Sequence, residues 1–88
     1  MAQHPSTPVA TLDTLATDPD SRVRSAVALN TSTPLVTLEA LAADLEPNVR
    51  EGVAGNPNTP LATILVFLYD DDHWTRETAA QHPSIPAN

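Results

Sequence analysis

The chain has 88 residues and a formal net charge of −7, with eleven acidic residues against four arginines and no lysine. This balance excludes nucleic acid and anionic membranes as expected partners, because both require clustered cations on the protein. Cysteine is absent, which excludes disulfides and thiolate metal sites. The sequence begins without a signal-peptide pattern and contains no apolar run long enough to cross a bilayer, so we expect a soluble, cytoplasmic protein.

A five-residue frame recurs along the chain at a spacing of 26 residues. Its copies begin at residues 4, 30, 56 and 82 and read HPSTP, NTSTP, NPNTP and HPSIP. A fixed period of this length is typical of stacked helical arrays. We therefore predict one repeat domain over residues 1–88, with units 4–29, 30–55 and 56–81 and an incomplete fourth unit, 82–88.

The first predicted element of each unit is a short helix that follows the Thr-Pro pair. In the first unit, we expect Thr7 to cap this helix and Pro8 to occupy its first position. Leu12 and Leu15 lie at helical spacing and form an apolar stripe. The helix is expected to end before Asp18. The aligned residues of the next two units predict the same element.

The second predicted element is another short helix, and in the first unit it starts within residues 18–20. Carboxylates at this point are favoured by the helix dipole. Val23 and Val27 continue the apolar stripe at helical spacing. We expect the helix to stop before Asn30, and its counterpart before Asn56, because asparagine tolerates the left-handed conformation that often follows a helix.

Helical periodicity extends over all three units, whereas the alternation expected of strands is absent. Helices this short are marginal alone, so each unit needs its neighbour to cover its apolar stripe. We therefore predict an all-α solenoid without a β-sheet. The sequence does not distinguish short α-helices from 3₁₀ helices.

At this level of detail the chain resembles the leucine-rich repeat variant family, with HEAT-like repeats as the next nearest likeness. Residues 56–60 match its N-P-x-T-P loop, and residues 18–24 and 44–50 match its D-x-x-x-x-V-R second element. The resemblance implies a right-handed superhelix of short α and 3₁₀ helices, and it implies no common activity. The departures from the family pattern are His4 and His82 in place of the loop asparagine, and Thr75 in place of valine.

Two sets of recurring polar residues are interpreted as structural ladders. One consists of Asp18, Asp44 and Asp70 with Arg24, Arg50 and Arg76, and the other of Asn30 and Asn56 with His4 and His82 in the same column. Within a unit, the six-residue offset places Asp and Arg on different helix faces, which favours pairing between units or with loop carbonyls. An anion-binding ladder of arginines is the alternative. If the arginines pair, Arg22 remains as the exposed cation.

The segment from Asp70 to His73, which reads Asp-Asp-Asp-His, is the one cluster with plausible metal ligands. Carboxylates at a helix start are expected from the dipole alone, and the spacing matches no EF-hand. No nucleophile motif is visible, so we expect a protein that is not an enzyme and holds no cofactor.

The third unit departs from the pattern of the other two. Leu65, Val66, Tyr69 and Trp74 stand where the earlier units carry polar or small residues. Exposed apolar residues of this kind are typical of partner-binding sites. The alternative is that they cover the end of the core or face a further repeat or domain.

The sequence thus favours a non-catalytic interaction or scaffold module that presents an acidic, partly apolar helical surface to a protein or peptide. A structural spacer within a longer array is the alternative, and a metal site over residues 70–73 is a distant third. The candidate partner-binding residues are Trp74, Glu77, Gln81, Leu65, Tyr69, Asn48 and Glu51.

Overall fold

A computed structural model describes residues 8–86, and six α-helices account for most of that range. They are α1 (Val9–Leu15), α2 (Ser21–Leu29), α3 (Leu35–Leu41), α4 (Pro47–Gly55), α5 (Leu61–Phe67) and α6 (His73–Ala80). Within residues 8–86 there is neither a strand nor a 3₁₀ helix. The all-α class is confirmed, and the short helices are α-helices. The predictions for His4 and Thr7 lie outside the described residues.

Corresponding helices begin 26 residues apart. We call α1, α3 and α5 the first helices, which begin at residues 9, 35 and 61, and α2, α4 and α6 the second helices, which begin at 21, 47 and 73. Each first helix contacts the second helix that follows it, and α4 packs between α2 and α6. The chain is compact, with a radius of gyration of 12.0 Å.

The start of each first helix differs from the prediction. Pro34 and Pro60 precede α3 and α5 with ψ angles of 153° and 149°, so each proline is the residue before the helix rather than its first residue. Threonine does not cap these helices. The Thr33 hydroxyl donates to the carbonyl of Val27 at 2.6 Å, and the Thr59 hydroxyl makes the equivalent bond at 2.7 Å. The physical reason is that the last carbonyls of the preceding helix lack helical partners, and a buried threonine satisfies one of them.

The residues that follow α2 and α4 are asparagines, as predicted, but they are not left-handed. Asn30 has φ −74° and ψ 126°, and Asn56 has φ −79° and ψ 122°, both in the extended region. Each side-chain oxygen accepts the backbone N–H two residues later, from Ser32 at 2.8 Å and from Asn58 at 2.9 Å. This side-chain turn redirects the chain without a positive φ, so the left-handed prediction is wrong.

The starts of α2 and α6 agree with the prediction that carboxylates lie at the beginning of the second helix, and they also form side-chain caps. Asp20 accepts from the backbone N–H of Arg22 at 2.9 Å, and Asp72 accepts from that of Thr75 at 2.9 Å. Such bonds satisfy N–H groups that have no partner within the helix. Glu46, the residue before α4, makes no side-chain cap, and Pro47 starts that helix instead.

The core lies between the first and second helices and is aliphatic except for one phenylalanine. Its buried apolar members are Leu12, Val27, Ala28, Leu38, Leu41, Val49, Val53, Ala54, Ile64, Phe67 and Ala79. Small residues allow α2 and α4 to approach closely. A Cβ built on Gly52 would lie 2.9 Å from the Cβ of Ala28 and 3.1 Å from the carbonyl oxygen of Ser25. That contact therefore requires glycine at position 52.

Candidate interaction surface

The arginine and aspartate columns meet between units. Arg24 donates from Nε to Asp44 Oδ2 at 2.7 Å and from Nη2 to Oδ1 at 3.1 Å. Its Nη1 donates to the carbonyls of Asp18 and Pro19 at 2.7 and 3.1 Å. The guanidinium therefore joins two successive units and also satisfies loop carbonyls, which is the arrangement that the six-residue offset favours.

The same contact recurs one unit later. Arg50 donates to both carboxylate oxygens of Asp70, at 2.9 and 3.1 Å, and to the carbonyl of Asp44 at 2.9 Å. The hydrogen bonds from Arg24 lower the pKa of Asp44 below its ordinary value of 3.8. Burial raises the pKa of Asp70, but the bonds from Arg50 and from the Asp72 N–H outweigh it, so this pKa is also lowered. Both carboxylates stay charged at neutral pH and hold their arginines in structural roles.

The loop column forms a ladder of carbonyl contacts. Asn56 donates from Nδ2 to the carbonyls of Ala28 and Asn30 at 2.8 and 3.0 Å. His82 Nε2 lies 2.8 Å from the carbonyl oxygen of Asn56. Since a carbonyl only accepts, Nε2 carries the proton, and Nδ1 accepts from the backbone N–H of Ser84 at 3.0 Å. The loops that begin at Asn56 and His82 are thus each tied to the preceding loop by a buried side chain.

The acidic segment before α6 is engaged in separate local contacts. Asp70 and Asp71 bond to Arg50, Asp72 caps α6, and His73 Nε2 lies 2.8 Å from Glu77 Oε2. Over residues 8–86, no group of three or more acidic or histidine side chains is arranged to hold a metal ion. The side chains of residues 70–73 therefore bond to different partners within the protein.

The third unit carries the departures that the sequence singled out, and they face solvent. Leu65 is 47% exposed, Val66 70%, Tyr69 89% and Trp74 63%. We call these four residues the third-unit patch. None of the four is buried by the described part of the chain.

Around Trp74 the structure assembles a small surface cluster. The rings of His73 and Trp74 meet edge to face with centroids 5.2 Å apart, and the contact between His73 and Glu77 holds the imidazole in place. Gln81 and Asn48 are also exposed, whereas Glu51 is half-buried. Leu65 and Tyr69 belong to α5 and the turn after it, so the candidate residues are distributed over three helices.

A groove between α3 and α5 is a feature that sequence reasoning missed. It has a volume of about 300 Å³ and is mostly apolar, with Val66 of the third-unit patch on its α5 side. Its lining consists of Glu39, Ala42, Ala43, Ala62, Thr63, Val66 and Phe67. Alanines that directly follow α3 and face a larger residue on α5 are the sequence signal. Because the two segments are about one unit apart in the chain, the signal is visible only once the helices are packed together.

Exposed apolar residues also occur on the other first helices. Val9, Leu35 and Leu61 directly follow the prolines, and they are 50%, 53% and 40% exposed. Val36 is 71% exposed. The apolar surface therefore extends beyond the third unit along the outer side of the first helices.

The described chain is thus a compact all-α protein. No protein-family model, curated protein or solved structure matches it. Between residues 8 and 86, the helices are all too short, or insufficiently apolar, to cross a membrane.

Proposed function

We propose that this chain is a short helical solenoid of three 26-residue units that acts as a non-catalytic protein-binding module. The equal helix offset and the recurring Arg–Asp contacts support the stack. The resemblance to the leucine-rich repeat variant family supports the same arrangement and leaves the activity open. The observation that carries the binding function is the apolar groove between α3 and α5, bordered by the exposed Val66.

The groove has the size and chemistry to accept an apolar side chain of a peptide. Its mostly apolar lining includes three alanines, Val66 and Phe67, which favours an aliphatic or aromatic anchor. Apolar surface of this kind is costly to leave in water, and burying it would stabilise a complex.

The charge of the module determines the chemistry around that anchor. Glu39 lines the groove, and the chain carries a net charge of −7. A peptide with lysine or arginine beside its apolar residue complements this surface, and the charge would steer its association. The partner class that we propose is therefore a basic segment with one or two large apolar side chains.

A random peptide library displayed on phage and selected on the immobilised chain tests this function. We expect enrichment of sequences that combine an apolar anchor with basic residues, with micromolar dissociation constants by calorimetry. Val66→Asp should weaken binding by about tenfold or more, because it places a charge at the groove. Leu45→Asp is the matched control, since Leu45 is 90% exposed and lies in the turn before α4.

The third-unit patch has its own readout in the same experiment. Trp74 is the single tryptophan and is largely exposed, so its emission reports directly on whether α6 is covered. A blue shift on binding would extend the site to α6. Failure to enrich any peptide, or affinities that Val66→Asp leaves unchanged, would favour the structural spacer instead.

A further inference from the structure

The boundary between successive units is built from the same positions each time. Arg24 meets Asp44 and Arg50 meets Asp70 across it, always from one unit to the next. Next to the first pair, Ala28 of α2 lies against Gly52 of α4. Each boundary therefore joins an arginine side that faces forward to an aspartate side that faces backward.

The forward side of the third unit has no matching aspartate. Arg76 donates to the carbonyl of Asp70 at 2.7 Å, and no carboxylate within residues 8–86 forms an ion pair with it. Ala80 is exposed, whereas Ala28 and Ala54, which hold the same position in the earlier units, are 0% exposed. Together with the exposed Leu65, these residues form what we call the forward end face.

The backward side of the first unit shows the complementary features. Asp18 accepts from the backbone N–H of Asp20 at 2.8 Å, but no arginine in the described range forms an ion pair with its carboxylate. Val23 is half-buried, although its counterpart Val49 is 0% exposed. Ala26, which corresponds to Gly52, is also half-buried. We call Asp18, Val23 and Ala26 the backward end face.

We propose that the forward end face of one copy of this chain binds the backward end face of a second copy. Asp18 of the second copy would take the place that Asp44 and Asp70 hold against the earlier arginines, with its carboxylate facing Arg76. The two faces match in charge and in position within the unit.

This contact joins two different faces and is therefore heterologous. Contacts of this type do not close on themselves unless the rotation permits a ring, so they produce chains of increasing length. The net charge of −7 on every copy opposes the association, and the Arg76–Asp18 pair is the main attraction of opposite sign. The proposal does not depend on peptide binding in the α3–α5 groove.

Sedimentation velocity over a concentration series to about 1 mM tests the proposal, since that range covers weak association. The wild type should show a mean mass that rises above the monomer as concentration increases. Arg76→Asp and Asp18→Arg should each weaken this association by about tenfold or more, because each places like charges opposite one another. An equimolar mixture of the two variants should associate again, because in alternating copies the introduced aspartate of one variant faces the introduced arginine of the other.

Two controls keep the outcome decisive. Arg22→Asp changes the net charge as Arg76→Asp does but lies outside both end faces, and it should associate as the wild type does. Ala80→Gln leaves the internal contacts of the fold intact, since Ala80 is exposed, and it should block docking by size even if Arg76→Asp folds poorly. Circular dichroism verifies the fold of each variant.

A wild type that stays monomeric throughout the series overturns the proposal, as does a mixture of the two charge variants that fails to associate. Association that persists in Ala80→Gln also overturns it, because another surface must then be responsible. Val66→Asp separates this inference from the proposed function. It should weaken peptide binding by about tenfold or more and leave self-association unchanged.

Discussion

The close approach of α2 and α4 makes a sharp prediction about Gly52. Replacing it with alanine adds one methyl group whose carbon would lie 2.9 Å from the Ala28 Cβ, 3.1 Å from the Ser25 carbonyl oxygen and 3.5 Å from Leu29 Cγ. Real side chains essentially never tolerate the shortest of these separations. Two of the three neighbours are fixed by the α2 backbone, so the helices themselves must separate.

Two opposing contributions determine the size of the effect. Alanine is favoured over glycine in a helix interior by about 1 kcal/mol. Overpacking a buried site costs about 1–3 kcal/mol, and the upper part of that range applies because backbone must move. We therefore expect Gly52→Ala to lower the free energy of unfolding by about 1–2 kcal/mol. For a domain of this size, each 1 kcal/mol shifts Tm by about 4–8 °C.

Gly55→Ala is the matched control in the same helix. Its Cβ would lie 3.5 Å from Thr78 Cγ2 and 3.8 Å from Leu29 Cδ2, which are ordinary contacts, and no described glycine has a positive φ. Alanine should therefore raise stability by about 0.5 kcal/mol through a less flexible unfolded chain. Urea unfolding followed by circular dichroism measures both variants. If Gly52→Ala is as stable as the wild type, or if the two variants shift equally, the close packing of α2 on α4 is wrong.

Three further predictions concern the ladders. Arg50→Met should lower the free energy of unfolding by about 2 kcal/mol, because it leaves the partly buried Asp70 without its guanidinium partner. Arg22→Met removes only an exposed pair and should change the stability in urea little. Equal losses in the two variants would refute the ladder role of Arg50. Thr59→Val should cost about 1 kcal/mol, because the Val53 carbonyl loses the hydroxyl bond and keeps only the bond from the Asn56 N–H, and Thr59→Ser should retain most of the stability in the same assay. Acid should also destabilise the fold, because the pKa values of Asp44 and Asp70 in the folded state lie below the ordinary value of 3.8. The stability that these two carboxylates contribute is complete above that pH and is lost as the pH falls below it. Thermal melts at a series of pH values check this prediction. As the pH is lowered, the Tm of Arg50→Met should fall less steeply than that of the wild type.

Much of the fold was predictable because aligning the three units shows which positions keep the same chemical character in every unit. A position that is apolar in all three units, such as Leu12 with Leu38 and Ile64, had to be buried, and all three are 0% exposed. Helix ends were less predictable. The Thr-Pro pair has the composition of a helix start, but Thr33 bonds backward to the helix before it, a contact over six residues that no local propensity encodes.

The candidate surface was predictable only in part. The departures of the third unit singled out Tyr69 and Trp74 as candidate surface residues, and both are exposed. The α3–α5 groove was missed because Ala42 and Val66 belong to different units, and nothing in either segment indicates their separation in space.

The sequence by itself determined the period, the two helices in each unit and the residues that face the core, since all of these depend on spacing within one segment. Tertiary structure decided which carboxylate each arginine meets. Arg24 takes the carbonyl of Asp18 from its own unit and the carboxylate of Asp44 from the next. It also decided that Gly52 cannot accept a methyl group. The reason is that contacts between units depend on the distance and angle at which two helices stack, and a repeat period specifies neither.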